Sequence, residues 1–448
     1  MASSALTPLA DAFVDKVAAK TAVVGVVGLG YVGLPLALAF HDAGLRCIGF
    51  DIDPVKIEAL QGGRSYIGHI GADRIAGLNV SGRFEATADF ARAGEADALL
   101  ICVPTPLSRY RDPDMSFVEA TARALGASLR RGQLVSLEST TYPMSTSDLL
   151  APILEETSAL TANADFAIAY SPEREDPGNE RFGTADIPKI VGADDVDAQR
   201  MAVALYGTIV DQVVEVPNTR TAEAVKLTEN IFRSVNIALV NELKMIFTRM
   251  DIDPFEVIDA AATKPFGFMP FYPGPGIGGH CIPVDPFYLT WKAREFGLHT
   301  RFIELAGEIN NSMPEWVIAR LIGALSERLG KAVKGSRLLV VGLAYKRNVD
   351  DVRESPSFAL IEGLLARGAE VEYYDPHVPA VKMTRDHAEL AGKRSIAWTS
   401  EALSRFDAAL IATDHDNVDY HLLVETVPVV LDTRNAIGGD NGVRVIRG

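Results

Sequence analysis

The sequence predicts an α/β chain of two doubly wound, parallel-sheet units joined by a long central helix, and three observations carry that prediction. Apolar, β-branched runs that end in glycine- or acid-bearing turns alternate with helical spacing near the N-terminus. An almost unbroken helical pattern covers 218–250, and the strand-turn-helix rhythm restarts near residue 337. With 448 residues there is length for two or three cores, and divisions are expected at 1–215, 216–325 and 326–448.

In the first unit, a strand over 21–27 leads into Gly28-Leu29-Gly30-Tyr31-Val32-Gly33, followed by helical spacing over 34–43. This is a GxGxxG turn in the setting that gives it meaning. Gly28 permits the tight turn, Gly30 lets backbone approach a pyrophosphate, Gly33 lets the helix pack on the strand, and the helix N-terminus offers N–H donors. A second strand, 46–50, ends at Asp51, eighteen residues after Gly33, where a carboxylate can hold ribose hydroxyls. With no adjacent arginine for a 2′-phosphate, the pattern favours NAD over NADP.

Further strands, 98–103 and 133–137, run into Pro104-Thr105-Pro106 and Glu138-Ser139-Thr140-Thr141. Ligands of an open parallel sheet sit at the carboxyl ends of its strands, so both turns should face the cofactor, with Thr105 and Thr140 as hydroxyl donors or plain turn residues. A strand over 164–170 runs into Ser171-Pro172-Glu173-Arg174-Glu175-Asp176, in which Glu173 is the first candidate for catalysis and the last two acids are expected to be solvated.

The helix over 218–250 places Lys226 and Asn230 one turn apart on one face. Its apolar residues Val225, Ile231, Phe232, Val235, Leu239, Leu243 and Ile246 and its length would suit a dimer seam. Beyond it, four glycines and two prolines occupy the eight residues before Cys281, so this backbone is shaped for close approach to something. Pro283 fits the first turn of a new helix, which would set Cys281 near a helix N-terminus, where a thiol ionises more easily. Asp285 puts a carboxylate four residues on. Cys47 and Cys102 lie in apolar strand-like stretches and read as core. Three scattered cysteines give no metal-ligand spacing and point to a reducing compartment.

In the C-terminal part, strands are expected over 337–342, 370–374, 408–412 and 429–431, with a helix over 358–365. The turn Gly342-Leu343-Ala344-Tyr345-Lys346 lacks the glycine triad and implies a second phosphate site of different chemistry. Lys346, Arg353 and Arg434 are its candidate cations.

Composition bounds the partners. A net charge of −16 disfavours nucleic acid and anionic membranes. The uncharged run 22–40 is long enough to suggest a membrane span, but its four glycines and Pro35 make it strand, turn and helix. The first twenty residues lack a signal peptide's apolar core and read as an amphipathic lead-in, so a cytoplasmic protein is expected.

Taken in order, GVVGLGYVGLPLA, FDID, VPTP, ESTT, SPERED, EAVKLTEN, PGPGIGGHCIPVDP and GLAYKRNVDDVRESP closely resemble the nucleotide-sugar dehydrogenase family that oxidises a UDP-sugar C6 alcohol to a carboxylate with two NAD. The resemblance runs from about Val23 to Asn435. It implies two Rossmann-like units, a homodimer or larger homo-oligomer, and a role in surface polysaccharide synthesis. By motif, Cys281 resembles the nucleophile that forms a thiohemiacetal and then a thioester. Lys226 and Asn230 resemble the pair that stabilises oxyanions, and Asp285 and Glu173 the acids that serve water and hydrolysis. Thr140 resembles a residue at cofactor and water. For the cofactor the resemblance implies the turn from Gly28 to Gly33 with Tyr31 and Val32, then Asp51, Lys56, Pro104, Thr105, Thr140 and Arg353. For the substrate it implies Glu173, Arg174, Lys226, Asn230, Tyr272, Gly276, Gly278, Lys346 and Arg434. The stretch 262–268 lacks the arginine that the UDP-glucose branch sends to a neighbouring subunit, which is more like the branch acting on UDP-N-acetylglucosamine or UDP-N-acetylmannosamine. UDP-glucose remains the rival substrate, and a silent nucleotide sensor the rival class.

Overall fold

The computed structural model describes residues 6–68, 70–108, 110–174, 184–279, 282–382, 387–438 and 444–447. Cys281, Glu175 and Asp176 lie outside the described residues. The chain divides into two compact units: Met1–Glu229 with Trp291–Leu298, and Asn230–Thr290 with His299–Gly448.

The first unit holds an eight-stranded sheet. Its strands are β1 (Val23–Val27), β2 (Arg46–Phe50), β3 (Phe84–Thr87), β4 (Ala98–Ile101), β5 (Leu134–Leu137), β6 (Ala167–Tyr170), β7 (Lys189–Gly192) and β8 (Val213–Val216). They lie in the order β3-β2-β1-β4-β5-β6-β7-β8. Neighbours are parallel except β6 and β7, which meet antiparallel at Tyr170 and Gly192. β1 pairs with β2 on one side and β4 on the other, so the winding reverses there and the chain opens a crevice beyond Val27. β1, β2 and β4 are almost wholly buried apolar runs, as a sheet covered on both faces requires. The lead-in is a helix, Thr7–Ala18, held by Thr7 on Asp197 at 2.6 Å and by an Asp11–Arg200 ion pair at 2.5 Å.

The second unit holds five parallel strands, β9 (Arg337–Val341), β10 (Glu370–Tyr374), β11 (Ala408–Ile411), β12 (Val429–Asp432) and β13 (Val445–Arg447), in the order β10-β9-β11-β12-β13. The helix Pro356–Ala366 starts two residues before its expected place, because the Ser355 side chain caps it by accepting Ser357 N–H.

The central helix is Thr219–Arg249, and the division between the units falls within it. In the second unit Asn241 donates to Asn310 at 2.9 Å, and Asn310 donates to the Ser234 carbonyl at 3.1 Å. Asn310 lies on a second long helix, Arg301–Leu329, which carries Pro314 within it and which the sequence reading had not singled out. Phe232, Leu239 and Ile246, expected as part of an apolar stripe, are all exposed and sit seven residues apart.

One boundary needs correction. The helix after the glycine-rich loop begins at Asp285, not at Pro283, and 282–284 form a turn. Pro286 takes the early helical position, where a missing N–H costs nothing.

Candidate active site

The turn after β1 is built as the glycine triad requires. Gly28 has φ of +91°, and a Cβ there would lie 2.5 Å from the Cys102 carbonyl oxygen. A Cβ on Gly33 would lie 1.9 Å from the Gly28 carbonyl oxygen, so only glycine lets the helix Gly33–Asp42 begin against the turn. At Gly30 a Cβ would meet nothing within 4 Å, so this backbone faces open space. Tyr31 packs partly on the core, and Val32 immediately precedes the helix.

Beside this turn is a cleft of about 470 Å³, lined by Gly28, Gly30, Asp51, Lys56, Pro104 and others of the first unit. Asp51 is buried at the end of β2. One of its oxygens accepts Leu29 N–H at 2.8 Å and the Lys56 ammonium at 2.9 Å, and the other accepts Asp53 N–H at 2.9 Å. The carboxylate thus ties the glycine turn to β2 at the edge of the cleft. Phe50, Phe90 and Phe117 give the cleft its apolar wall, suited to an adenine. Space, glycine backbone and carboxylate together fit a dinucleotide.

Thr105 was expected as a hydroxyl donor or a plain turn residue. It is buried, and its hydroxyl donates to the Thr140 carbonyl at 2.7 Å, because a buried carbonyl needs a partner. Thr140 itself is half-buried beyond β5. Cys47 is buried in β2 with its thiol pushed up to about 12 by burial. Cys102 lines the cleft, and burial and then Glu138 push its thiol well up. Burial thus holds both in the thiol form.

On the central helix Lys226 is buried and donates to the Glu173 carbonyl at 2.5 Å. Asn230, one turn on, is buried and donates to Asp285 at 2.6 Å. Fifty-five residues of sequence separate these two, and folding joins them through the first residue of the helix Asp285–Glu295. Arg174, expected at the substrate, has its guanidinium on Glu229 at 2.6 Å and on the Pro188 carbonyl at 2.6 Å, so it braces the Glu173 loop.

Sequence reasoning missed the group behind Glu173. Lys189, at the start of β7, donates to Glu138 at 2.7 Å and lies 3.5 Å from the Glu173 carboxylate. The Tyr206 hydroxyl donates to Glu138 and lies 2.8 Å from the Ser136 hydroxyl. Burial opposes the Lys189 charge, but Glu138 and Glu173 overcome it and hold the ammonium above its usual range. Burial pushes the Glu138 carboxyl up against the pull of Lys189. The signal in the sequence was a lysine opening an otherwise apolar strand and a glutamate ending another.

In the second unit, the glycines of the loop before Cys281 answer to protein neighbours. A Cβ on Gly278 would lie 2.7 Å from Tyr345 Cβ, one on Gly276 3.0 Å from Pro356 Cβ, and one on Gly274 2.5 Å from an Arg434 guanidinium nitrogen. The close approach expected there is therefore, in part, to Tyr345, Pro356 and Arg434. Arg434 also donates to the Ala412 carbonyl at 2.8 Å. Tyr272 is exposed, stacks on Phe255 and donates to Asp259 at 2.6 Å. Lys346 is half-buried beyond β9, and Arg353 forms a two-pronged pair with Asp351 at 2.7–3.0 Å.

The turn after β9 is closed to phosphate at two of its amides. Leu343 and Ala344 N–H donate to one Asp375 oxygen at 2.7 and 2.8 Å, with His415 at 3.1 Å. Burial alone would raise Asp375, but the bond and charge of His415, with the Ala344 and His377 amides, hold it below the usual carboxylate range. Asp375 is the counterpart of Asp51 at the end of β10, and here the protein consumes it.

Comparison with known proteins decides the family. Residues 22–210 match the NAD binding domain of the UDP-glucose/GDP-mannose dehydrogenase family, 220–312 its central domain and 339–439 its UDP binding domain. The chain belongs to that family. It is an NAD-dependent nucleotide-sugar dehydrogenase. It is 36% identical over 358 residues to UDP-N-acetyl-D-glucosamine 6-dehydrogenase of Pseudomonas aeruginosa, covering 80% of this chain and 83% of that one. To UDP-N-acetyl-D-mannosamine dehydrogenase of Salmonella typhi it is 34% identical, covering 88% and 93%. The solved structure of UDP-N-acetyl-D-mannosamine dehydrogenase from Pyrococcus horikoshii superposes with a TM-score of 0.84 at 32% identity, covering 93% and 96%. The dehydrogenase is thus two Rossmann-like units. Among its described residues no helix is long and apolar enough to cross a membrane.

Proposed function

We propose that this dehydrogenase oxidises the C6 alcohol of a UDP-N-acetylhexosamine, UDP-N-acetylglucosamine first, to the uronic acid in four electrons. The observation that carries the reading is the buried Asn230–Asp285 pair, one helical turn from Lys226. An amide and an ammonium four residues apart are donors for an oxyanion, and a carboxylate held on the amide can orient water. NAD, when bound, supplies the hydride acceptor, and two are reduced for each sugar. The Cys281 thiolate would add to the C6 aldehyde to give a thiohemiacetal. Loss of a second hydride leaves the thioester, and water releases the acid and the thiol. Glu173 would take the proton of that water, and Lys346 and Arg434 would hold the diphosphate. The N-acetyl sugar is favoured by the relatives' named substrates and by the absence of an arginine from 262–268.

In this reading 1–215 serves NAD, 326–448 serves UDP, and 216–325 carries the catalytic loop and a homodimer seam. The exposed Phe232, Leu239 and Ile246 supply an apolar face for that seam. The enzyme would work in the cytoplasm.

Counting NADH per sugar tests the reading. Limiting UDP-N-acetylglucosamine with excess NAD should give two NADH, and Cys281→Ser should stop net acid formation. One NADH per sugar, or full turnover by the serine variant, would refute the covalent route. Two NADH from UDP-glucose or UDP-N-acetylmannosamine alone would move the enzyme to that substrate.

A further inference from the structure

Lys244 is a buried lysine that the chemistry above leaves unused. It is 1% exposed on the central helix, and its ammonium meets the Thr433 carbonyl at 3.3 Å and the Trp316 ring at 5.6 Å from the centroid. It forms an ion pair with no described carboxylate. Its surroundings are cationic instead. Arg434 follows Thr433 directly and presses on Gly274. Arg320, one turn beyond Trp316, has its Nε buried with no hydrogen-bond partner.

The acids in range are engaged elsewhere. Asp432 accepts Arg434 and Ala436 N–H on one oxygen, and Ile437 N–H and the Arg447 guanidinium on the other. Arg447 also pairs with Asp253 at 3.7 Å. Burial, then Arg434 and Arg320, bring Lys244 down to about 7, with Asp432 and Asp253 opposing. The same helix face is joined to the substrate loop: Asn241, three residues before Lys244, accepts Gly274 N–H at 3.0 Å.

We propose that seating the UDP-sugar diphosphate on Arg434 is coupled to uptake of one proton from solvent by Lys244. This rests on the reading of Arg434 as a diphosphate ligand. Two negative charges delivered beside two arginines and the lysine amine cancel the arginine repulsion and offset the cost of burial, and the amine becomes an ammonium. A lysine can make this adjustment and an arginine cannot. The empty site thereby avoids a third buried charge, and the filled site gains it.

Calorimetry on the full-length, NAD-free enzyme tests the coupling, with UDP-N-acetylglucosamine titrated at pH 8 in buffers of different ionisation enthalpy. The diphosphate diester does not titrate there, so any proton taken up enters the protein. A lysine near 7 is about one-tenth protonated at pH 8, so uptake should approach roughly 0.8 proton per ligand. Affinity should fall roughly twentyfold from pH 7 to pH 9 by the same linkage. Lys244→Met should bind more weakly without uptake. Lys244→Arg, which keeps the charge if the methionine variant does not fold, should bind with neither uptake nor that pH dependence. Binding without uptake by the wild type, or undiminished uptake by either variant, would overturn the coupling. No binding of this sugar, UDP-glucose or UDP-N-acetylmannosamine would overturn the UDP-sugar reading itself and the coupling with it.

Discussion

Removing the Lys189 ammonium should destabilise the first unit more than any surface change, and in a pH-dependent way. In Lys189→Met the Glu138 carboxylate loses its 2.7 Å partner while its side chain stays fully buried. Breaking one side of a buried pair costs about 3–5 kcal/mol, because the remaining charge is neither solvated nor paired. For a unit of this size that is a loss of about 6–20 °C in the thermal midpoint. Glu138 keeps the Tyr206 hydroxyl, so the lower part of that range is expected. The sign with pH follows from the carboxyl, which burial raises in the fold. A raised carboxyl contributes its stability below the unfolded value, near pH 4, and loses it as pH rises through the folded value. The deficit of the variant should therefore be largest at pH 8 and shrink toward pH 5. Glu138→Gln in the same background should restore part of the loss at pH 8, since a neutral amide needs no counter-charge. Differential scanning calorimetry of the wild type and the two variants at both pH values measures it. A deficit below about 1 kcal/mol, or one that grows toward acid, would refute the ion-pair account.

Three further outcomes are expected. Gly33→Ala must displace the turn, since its Cβ would sit 1.9 Å from the Gly28 carbonyl oxygen, and NAD affinity by fluorescence titration should fall at least about 30-fold. Asp51→Ala takes the shared acceptor from Lys56 and Leu29 N–H and, in the proposed reading, from the NAD ribose, and should weaken NAD by about ten- to a hundredfold without altering the UDP-sugar Kd. Asn230→Ala takes the 2.6 Å amide partner from the buried Asp285 carboxylate and, in the proposed reading, an oxyanion donor from the site. Steady-state kinetics should show kcat reduced roughly 10²- to 10³-fold with NAD affinity intact.

Period and punctuation made the fold legible in the sequence. β2 and β10 lie where their apolar alternation and terminal acids put them, and the central helix differs by one residue at each end from its expected span. Local rules govern such features: a glycine triad has few uses, and a helix of thirty-one residues outweighs its few poor formers. β3, β7 and β8 were not singled out, because a four-residue strand such as Phe84–Thr87, with a glutamate inside, carries little periodicity of its own. Its strand state comes from pairing with β2.

For the site, residue type marked Lys226, Asn230, Asp285 and Asp51 as candidates, since their chemistry and local spacing are properties of the chain. Which partner each one meets is a property of the fold. The Asn230 amide finds Asp285 across fifty-five residues, and Lys189 finds Glu138 across fifty-one. Asp375 looks like Asp51 in sequence, yet it meets His415 and four backbone amides where Asp51 meets Lys56 and two. Buried polar groups must be satisfied by whatever the tertiary packing brings within 3 Å, and no local rule encodes that. The sequence by itself thus determined the chemistry available, and tertiary structure decided which groups remain for a ligand and which the protein uses to hold itself together.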